Sequence, residues 1–209
     1  MSAILTPSIK RAVSPEPGVL VIRLGPLKEH LTDVEFFKFC QLNRDLRIEM
    51  TSDGEVIIMS PVGSEGGHRN FKLTTRFGAW AEADGTGVGF DSSTGFKLPN
   101  GAKRSPDLSW IRRGRWEAVP KKQRKQLAAI CPDFVVELRA ETDPLEMLQE
   151  KMKEYLRSGA QLGWLIDPLE KKLHIYRPKA TVETLDRPRS VSGELLLKGF
   201  VLALSGILG

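Results

Sequence analysis

Two acidic residues of this sequence lie inside short, strand-like apolar runs. Asp107 occurs in the run SPDLSWI at residues 105–111, and Glu137 occurs in the run CPDFVVEL at residues 131–138. A carboxylate in such a run is costly unless it is paired with a cation or bound to a metal. Because each run carries one, the pair predicts a shared divalent cation, Mg²⁺ or Mn²⁺, with water at the remaining coordination positions.

A third group, Lys151, follows Glu137 on a predicted helix. Pro144 opens this helix, and Lys151 falls about 90° from the centre of its apolar stripe, at roughly 100° per residue. Its stem can therefore lie along the packed edge of the helix while its amine reaches the sheet. An ammonium beside a metal can position or deprotonate the attacking water and stabilise charge on a phosphate. Asp107 and Glu137 as metal ligands, with Lys151 beside them, are thus predicted to hydrolyse a phosphodiester.

The elements that must hold these groups follow from capping residues and periodicity. We predict a helix that starts at Thr32, a β-hairpin over 47–59, a long helix over 64–84 that ends at Gly85, and strands between 86 and 111. The Glu137 strand, the helix after it and a strand at 162–166 form a βαβ unit with parallel strands. An alternating hairpin over 172–185 follows, and we expect the chain to finish in a weakly organised tail.

Length and composition favour one compact domain. The 209 residues are 41% hydrophobic, which is enough to bury a substantial core. Residues 1–18 hold three prolines and few periodic hydrophobes. We therefore expect a flexible N-terminal segment over 1–18 and a single domain over 19–209.

Charge, cysteines and hydropathy narrow the class of protein. The net charge of +5 suits an anionic partner such as nucleic acid without demanding one. Cys40 and Cys131 are far apart in sequence and lack closely spaced histidines, which argues against a zinc site and a disulfide framework. No apolar run approaches the roughly 18 residues of a membrane span. We expect a cytoplasmic protein that makes no membrane contact.

A dense group of basic side chains follows the Asp107 strand. It is either a solvated connector or a phosphate-facing surface near the site. The group comprises Arg112, Arg113, Arg115, Lys121, Lys122, Arg124 and Lys125.

The spacing of the acidic runs resembles the signature of the PD-(D/E)XK nuclease superfamily, because Pro106-Asp107 is followed thirty residues later by Glu137-Leu138-Arg139. More narrowly, the chain from about Val19 onward resembles the Uma2 family of putative restriction endonucleases. The stretches that carry this resemblance are 53–61, 105–110, 131–138, Lys151 with Tyr155, and 163–168. The resemblance implies a restriction-endonuclease-like core of the α/β (α+β) class, with a mixed β-sheet flanked by helices. It also implies DNA as the substrate and a divalent ion held by Asp107 and Glu137.

The chain departs from the superfamily at one position, because Arg139 stands where the motif has lysine. Arginine stays protonated and cannot act as a base, so Lys151 is the natural substitute. Glu55 or Glu49 of the first hairpin could supply the upstream acid that is common in such sites, or be a solvent-facing carboxylate. His68 is either a substrate contact or accessory base, or an ordinary residue of a polar helix face.

Three functions remain open on this basis. We favour a metal-dependent DNA endonuclease over a nuclease fold that no longer cuts and instead binds nucleic acid or a protein. An unrelated metal-dependent hydrolase is disfavoured, because the sequence has neither a phosphate-binding glycine loop nor a Ser/His/Asp arrangement.

Asp107 or Glu137 could also be paired with Arg104 or Arg139 without any metal. A homodimer is expected only from the symmetry of two cuts on a duplex.

Overall fold

A computed structural model describes residues 19–209, apart from the side chain of Glu29. The flexible segment that we predict for residues 1–18 lies outside the described residues. The helices of the described part are α1 (Asp33–Leu42), α2 (Ser64–Asp84), α3 (Arg113–Ala118) and α4 (Leu145–Arg157), with short 3-10 turns at Gly25–His30 and Gln123–Lys125.

Local capping sets the ends of the first two long helices. The Thr32 hydroxyl accepts a hydrogen bond from the backbone N–H of Glu35, and the Glu35 carboxylate accepts one from the backbone N–H of Thr32. This reciprocal pair satisfies two otherwise unpaired donors at the start of α1. Helix α2 ends at Gly85, whose φ of 64° is the left-handed conformation that glycine adopts readily. Both helices thus confirm the capping predictions.

The strands of residues 19–209 form two six-stranded sheets and one small hairpin. In chain order the strands are β1 (Val19–Arg23), β2 (Arg47–Met50), β3 (Glu55–Met59), β4 (Gly87–Asp91), β5 (Phe96–Lys97), β6 (Lys103–Arg104), β7 (Leu108–Arg112), β8 (Ala128–Ala129), β9 (Phe134–Leu138), β10 (Leu162–Asp167), β11 (Lys172–Tyr176), β12 (Glu183–Asp186), β13 (Ser190–Ser192) and β14 (Val201–Ala203). The first sheet has the order β1-β3-β2-β6-β5-β8 and the second the order β12-β11-β10-β9-β7-β4, while β13 pairs with β14.

The second sheet contains the predicted βαβ unit. Strands β9 and β10 are parallel and are joined by α4, and β10 continues into the antiparallel β11 and β12. All five residues of β9 are buried, as expected for a central strand covered on both faces. On one face α4 packs through Met152 and Tyr155, and on the other α2 packs through Phe77, whose ring stacks on Phe134 at 5.8 Å. The mixed sheet flanked by helices is confirmed.

The C-terminal tail is not weakly organised, so this prediction was wrong. Val191 of β13 and Leu202 of β14 are buried in the same hydrophobic cluster as Phe77 of α2 and Phe134 of β9. The ring of Phe200 lies 5.2 Å from that of Phe77. The tail segments are short and show little periodicity, but they cover a face of the second sheet that would otherwise expose apolar surface.

The two sheets meet where the chain passes from β6 to β7. Residues 105–107 form this connection, so Asp107 lies directly before β7 and not within it. Among residues 19–209, no helix is both long and apolar enough to cross a membrane.

Candidate active site

Asp107, directly before β7, lies opposite Glu137 of the adjacent strand β9. Leu108 pairs with Val136 in the antiparallel register of β7 and β9, which places Asp107 opposite Glu137. Residues directly opposite in an antiparallel pair project from the same face of the sheet. The backbone N–H of Leu138 donates to Oδ2 of Asp107 at 2.8 Å, and both acids are buried. The fold therefore brings the two predicted metal ligands together.

Lys151 reaches this pair from α4. Its Nζ lies 2.9 Å from Oε1 of Glu137 and 2.8 Å from Oε1 of Glu49, and the side chain is buried. The hydroxyl of Tyr155, one turn further along α4, donates to Oε1 of Glu137 at 3.1 Å. Because α4 packs on the face of the sheet from which Glu137 projects, a residue at the edge of its apolar stripe reaches the Glu137 carboxylate. The predicted direction of Lys151 is observed.

Of the two upstream acids that the sequence left open, the fold places Glu49 in the site. Glu49 is 2% exposed, and its carboxylate accepts hydrogen bonds from Lys151, from Arg104 at 3.1 Å and from the backbone N–H of Ser105 at 2.9 Å. Glu55, on the same hairpin, lies at the rim and pairs with Arg23 at 2.8 Å. The apolar neighbours of Glu49 on β2 are the same signal that singled out Asp107 and Glu137.

His68 lies apart from these groups. It is exposed on α2 and lines neither of the two cavities described below. The fold therefore does not bring the predicted accessory histidine to the carboxylates.

Arg47 is the site residue that the sequence did not single out. Its Nη1 lies 2.8 Å from Oδ1 of Asp107, and its Nη2 donates to the carbonyl of Ser105 at 2.6 Å. No spacing rule connects Arg47 with Asp107, because they are 60 residues apart, one on β2 and the other in the connection between the two sheets. Only the docking of β2 beside the β6–β7 connection brings them into contact.

The sequence left open that Arg104 or Arg139 pairs with Asp107 or Glu137 in the absence of metal, but both arginines pair with other acids. Arg104 pairs with Glu49 and, through Nε at 2.6 Å, with Glu154. Arg139 pairs with the buried Asp167 at 2.8 Å. Neither is the partner of Asp107 or Glu137, whose positive neighbours are Arg47 and Lys151 respectively.

Glu137 binds its proton more tightly than a solvent-exposed glutamate does. Burial is the largest cause and raises the pKa of this carboxyl to about 7. The ammonium of Lys151 opposes the rise, and the negative charges of Asp107 and Glu49 add to it. A further positive charge next to Glu137 would therefore be stabilising.

Glu49 and Lys151 remain charged in the same environment. Burial would raise the pKa of Glu49, but the charges of Lys151, Arg104 and Arg47 outweigh it and lower the pKa to about 2. Burial would likewise lower the pKa of Lys151, but the carboxylates of Glu137 and Glu49 outweigh it and raise the pKa. Lys151 is therefore an ammonium at neutral pH.

Two cavities adjoin at this cluster. The larger, of about 1080 Å³, has eight basic and five acidic residues in its wall, and the smaller, of about 330 Å³, has four basic and eight acidic ones. Asp107 and Arg47 line both cavities, whereas Glu137, Lys151 and Glu49 line the smaller one. The basic residues of the larger cavity are Arg44, Arg47, Arg69, Lys103, Arg104, Arg124, Lys125 and Arg139.

The site contains the ligand type that a hard divalent cation prefers, the carboxylate. No cluster of three or more His, Cys, Asp or Glu side chains with metal-binding geometry occurs in the part of the chain described. The site thus offers two carboxylates, Asp107 and Glu137, and Mg²⁺ is commonly held by one or two carboxylates with water and substrate phosphate. Each carboxylate has about four acceptor positions, so the hydrogen bonds already made leave capacity for an ion.

Comparison with known proteins identifies the family. The model of the Uma2 family, described as "Putative restriction endonuclease", matches residues 33–205, a range that includes every member of the cluster. This chain belongs to the Uma2 family. The resemblance drawn from the sequence is thereby confirmed. The search of curated proteins gave no significant match.

The fold of this Uma2 protein is also found in a solved structure. It is similar to the crystal structure of a putative nuclease belonging to DUF820 from Anabaena variabilis ATCC 29413, with a TM-score of 0.65. The two chains are 19% identical, and the match covers 77% of this chain and 89% of that one. At this identity the similarity establishes a common fold.

Proposed function

We propose that this Uma2 protein is a metal-dependent endonuclease that hydrolyses phosphodiester bonds of DNA. The observation that carries the proposal is the convergence of Asp107, Glu137 and Lys151 from three separate elements on one buried point. Buried charged groups are expensive, and functional sites are where proteins concentrate them.

Each group has a role that follows from its chemistry. Asp107 and Glu137 would hold Mg²⁺ or Mn²⁺, which polarises the phosphate and lowers the pKa of bound water. Lys151, held as an ammonium between Glu49 and Glu137, donates hydrogen bonds to the attacking water and stabilises the negative charge that grows on the phosphate. Glu49 keeps Lys151 in place.

Arg139, which stands where the superfamily's motif has lysine, is compatible with the role proposed for Lys151. The Arg139 guanidinium pairs with Asp167 and donates from Nε to the carbonyl of Asp143 at 3.1 Å. These contacts hold the residue at the end of β9. Lys151 supplies the positive charge that the superfamily's lysine would provide.

The larger cavity supports DNA as the substrate. Its basic residues outnumber its acidic ones, and Asp107 lies in its wall. Arg124 and Lys125, from the basic segment singled out in the sequence, lie in its wall. A basic cavity that contains Asp107 in its wall suits a polyanionic backbone. Arg115 of the same segment instead pairs with Asp133 at 2.9 Å, which is a contact within the fold.

The first test is cleavage of supercoiled and single-stranded DNA with Mg²⁺ or Mn²⁺. Asp107→Asn, Glu137→Gln and Lys151→Met are each expected to lower the rate by at least about 100-fold, the order expected on removing a group that stabilises the transition state. Glu55→Gln is the matched control, because this carboxylate lies at the rim. Full activity of Asp107→Asn, or cleavage by wild type in EDTA, would contradict the proposal.

One observation favours an alternative function. Asp107, Glu137 and Glu49 already have internal cations as partners in Arg47, Lys151 and Arg104. A site neutralised in this way suits an inactive nuclease fold that binds nucleic acid or a protein. Metal affinity separates the two functions: DNA binding by a wild-type protein that neither binds Mn²⁺ nor cleaves would establish the alternative.

We keep a two-fold homodimer as part of the proposal, to be tested by sedimentation equilibrium.

A further inference from the structure

Arg47 is hydrogen-bonded through both terminal nitrogens of its guanidinium, and its side chain is more exposed than those of Arg104 and Lys151. Nη1 contacts Asp107 at 2.8 Å and Nη2 contacts the carbonyl of Ser105 at 2.6 Å. Its Nε is buried and has no hydrogen-bond partner within the described residues. The side chain as a whole nevertheless keeps 29% of its surface exposed. Arg47 is therefore the accessible cation of the cluster, whereas Lys151 is 7% exposed.

Arg47 also lies on the boundary between two different electrostatic environments. It lines the larger, basic cavity together with Lys125 and Arg124, and it lines the smaller, acidic cavity together with Glu137 and Lys151. A phosphate in the basic cavity that approaches Asp107 must therefore come close to this guanidinium.

The contact between Arg47 and Asp107 must weaken when a divalent cation binds Asp107. Two positive groups would then share one carboxylate, and their mutual repulsion opposes the arginine contact. A phosphate beside the ion offers Arg47 a new partner, because the planar guanidinium binds two phosphate oxygens at once. The released arginine and the incoming phosphate are thus complementary in charge and shape.

We propose that Arg47 is a phosphate-binding residue of the reaction, paired with Asp107 in the free protein and turned to the scissile phosphate when metal and DNA are bound. This inference rests on the proposed nuclease function. It assigns two separable effects to one side chain. Arg47 competes with the cation for Asp107, and it stabilises the substrate phosphate.

The test measures Mn²⁺ binding by calorimetry without DNA, and cleavage at saturating Mn²⁺, for wild type, Arg47→Gln and Arg47→Lys. Arg47→Gln is expected to bind Mn²⁺ about 3- to 10-fold more tightly, because the competing charge is gone. Its kcat is expected to fall about 100-fold, since a charged donor to the phosphate is lost. Arg47→Lys keeps the charge but loses the two-point contact, so its Mn²⁺ affinity should stay near wild type while its kcat falls.

Arg23→Gln is the control, since this arginine forms an exposed ion pair with Glu55 and should change neither quantity. Weaker Mn²⁺ binding by Arg47→Gln would show that the arginine only supports the Asp107 carboxylate, and would overturn the inference. An unchanged kcat in both Arg47 variants would overturn it as well, with the nuclease function intact. A wild-type protein that neither binds Mn²⁺ nor cleaves would overturn the proposed function and this inference together.

Discussion

Lys151 and Glu49 form a buried ion pair, with 2.8 Å between Nζ and Oε1, although 102 residues separate them. The pair joins the crossover helix of the second sheet to the first hairpin. It also fixes the ammonium that contacts Glu137. One side chain thereby links the two sheets and completes the candidate active site.

Loss of this pair is expected to destabilise the fold. Glu49→Gln leaves Lys151 and Arg104 with one carboxylate partner each, so the free energy of unfolding should fall by about 3 kcal/mol, as when a buried ion pair is broken. Urea denaturation measures the change. Glu55→Gln is the matched control on the same hairpin, and its exposed pair with Arg23 should contribute less than about 1 kcal/mol. Equal effects of the two substitutions would contradict the prediction.

The burial of Glu137 predicts a pH dependence in the metal-free protein. The pKa of this carboxyl rises from 4.5 to about 7 on folding, mainly through burial, so the folded state holds the proton more tightly. The stabilisation is complete below about pH 4.5 and is lost as the pH rises through about 7. The shift corresponds to up to about 3 kcal/mol.

Glu137→Gln should therefore match wild type at pH 5 and be the more stable protein at pH 8, in urea titrations that contain EDTA. The effect of Glu55→Gln should be the same at both pH values, because this carboxylate pairs with Arg23 at the rim and does not contact Glu137. A constant difference between Glu137→Gln and wild type from pH 5 to pH 8 would refute the raised pKa.

The basic cavity predicts a salt-dependent contact with DNA. Lys125 and Arg44 are exposed and line its wall. Each of Lys125→Gln and Arg44→Gln, made in the Asp107→Asn background to prevent cleavage, should reduce the salt slope of log K by about 1. The weakening should be similar for unrelated DNA sequences, because phosphate contacts carry no sequence information.

Fluorescence anisotropy with labelled duplexes over a series of salt concentrations measures this slope. Lys198→Gln serves as the control, since Lys198 is exposed but lines neither cavity. If Lys198→Gln reduced the slope as much as Lys125→Gln does, DNA would not be bound in this cavity.

Phe200 and Val201 are neighbours in the C-terminal hairpin but should contribute very differently to stability. Phe200→Ala should lower the free energy of unfolding by about 3 to 5 kcal/mol, because the ring is 3% exposed and packs against Phe77 and Trp164. Val201→Ala should change it by less than about 1 kcal/mol, since Val201 is 60% exposed. Thermal or urea unfolding distinguishes the two, and similar losses would mean that the tail does not pack as described.

Helix ends and the burial of acidic residues could be predicted from the sequence, because both depend on residues that are close together in the chain. The capping box at Thr32 and the glycine after Asp84 set helix ends through contacts within a few residues. A carboxylate in an apolar run is costly wherever the run lies in the fold, so Asp107 and Glu137 could be recognised before their neighbours were known.

The tertiary structure decided which charged groups meet. Glu49 and Glu55 lie on one hairpin and only six residues apart, yet Glu49 points to Lys151 and Glu55 to Arg23. The hairpin register places both carboxylates on one face, so they differ in their position along the hairpin: Glu49 lies where β2 docks beside the β6–β7 connection, and no local period encodes that contact. The pairing of Arg47 with Asp107 and the burial of Phe200 have the same origin, because both depend on contacts between segments far apart in the chain.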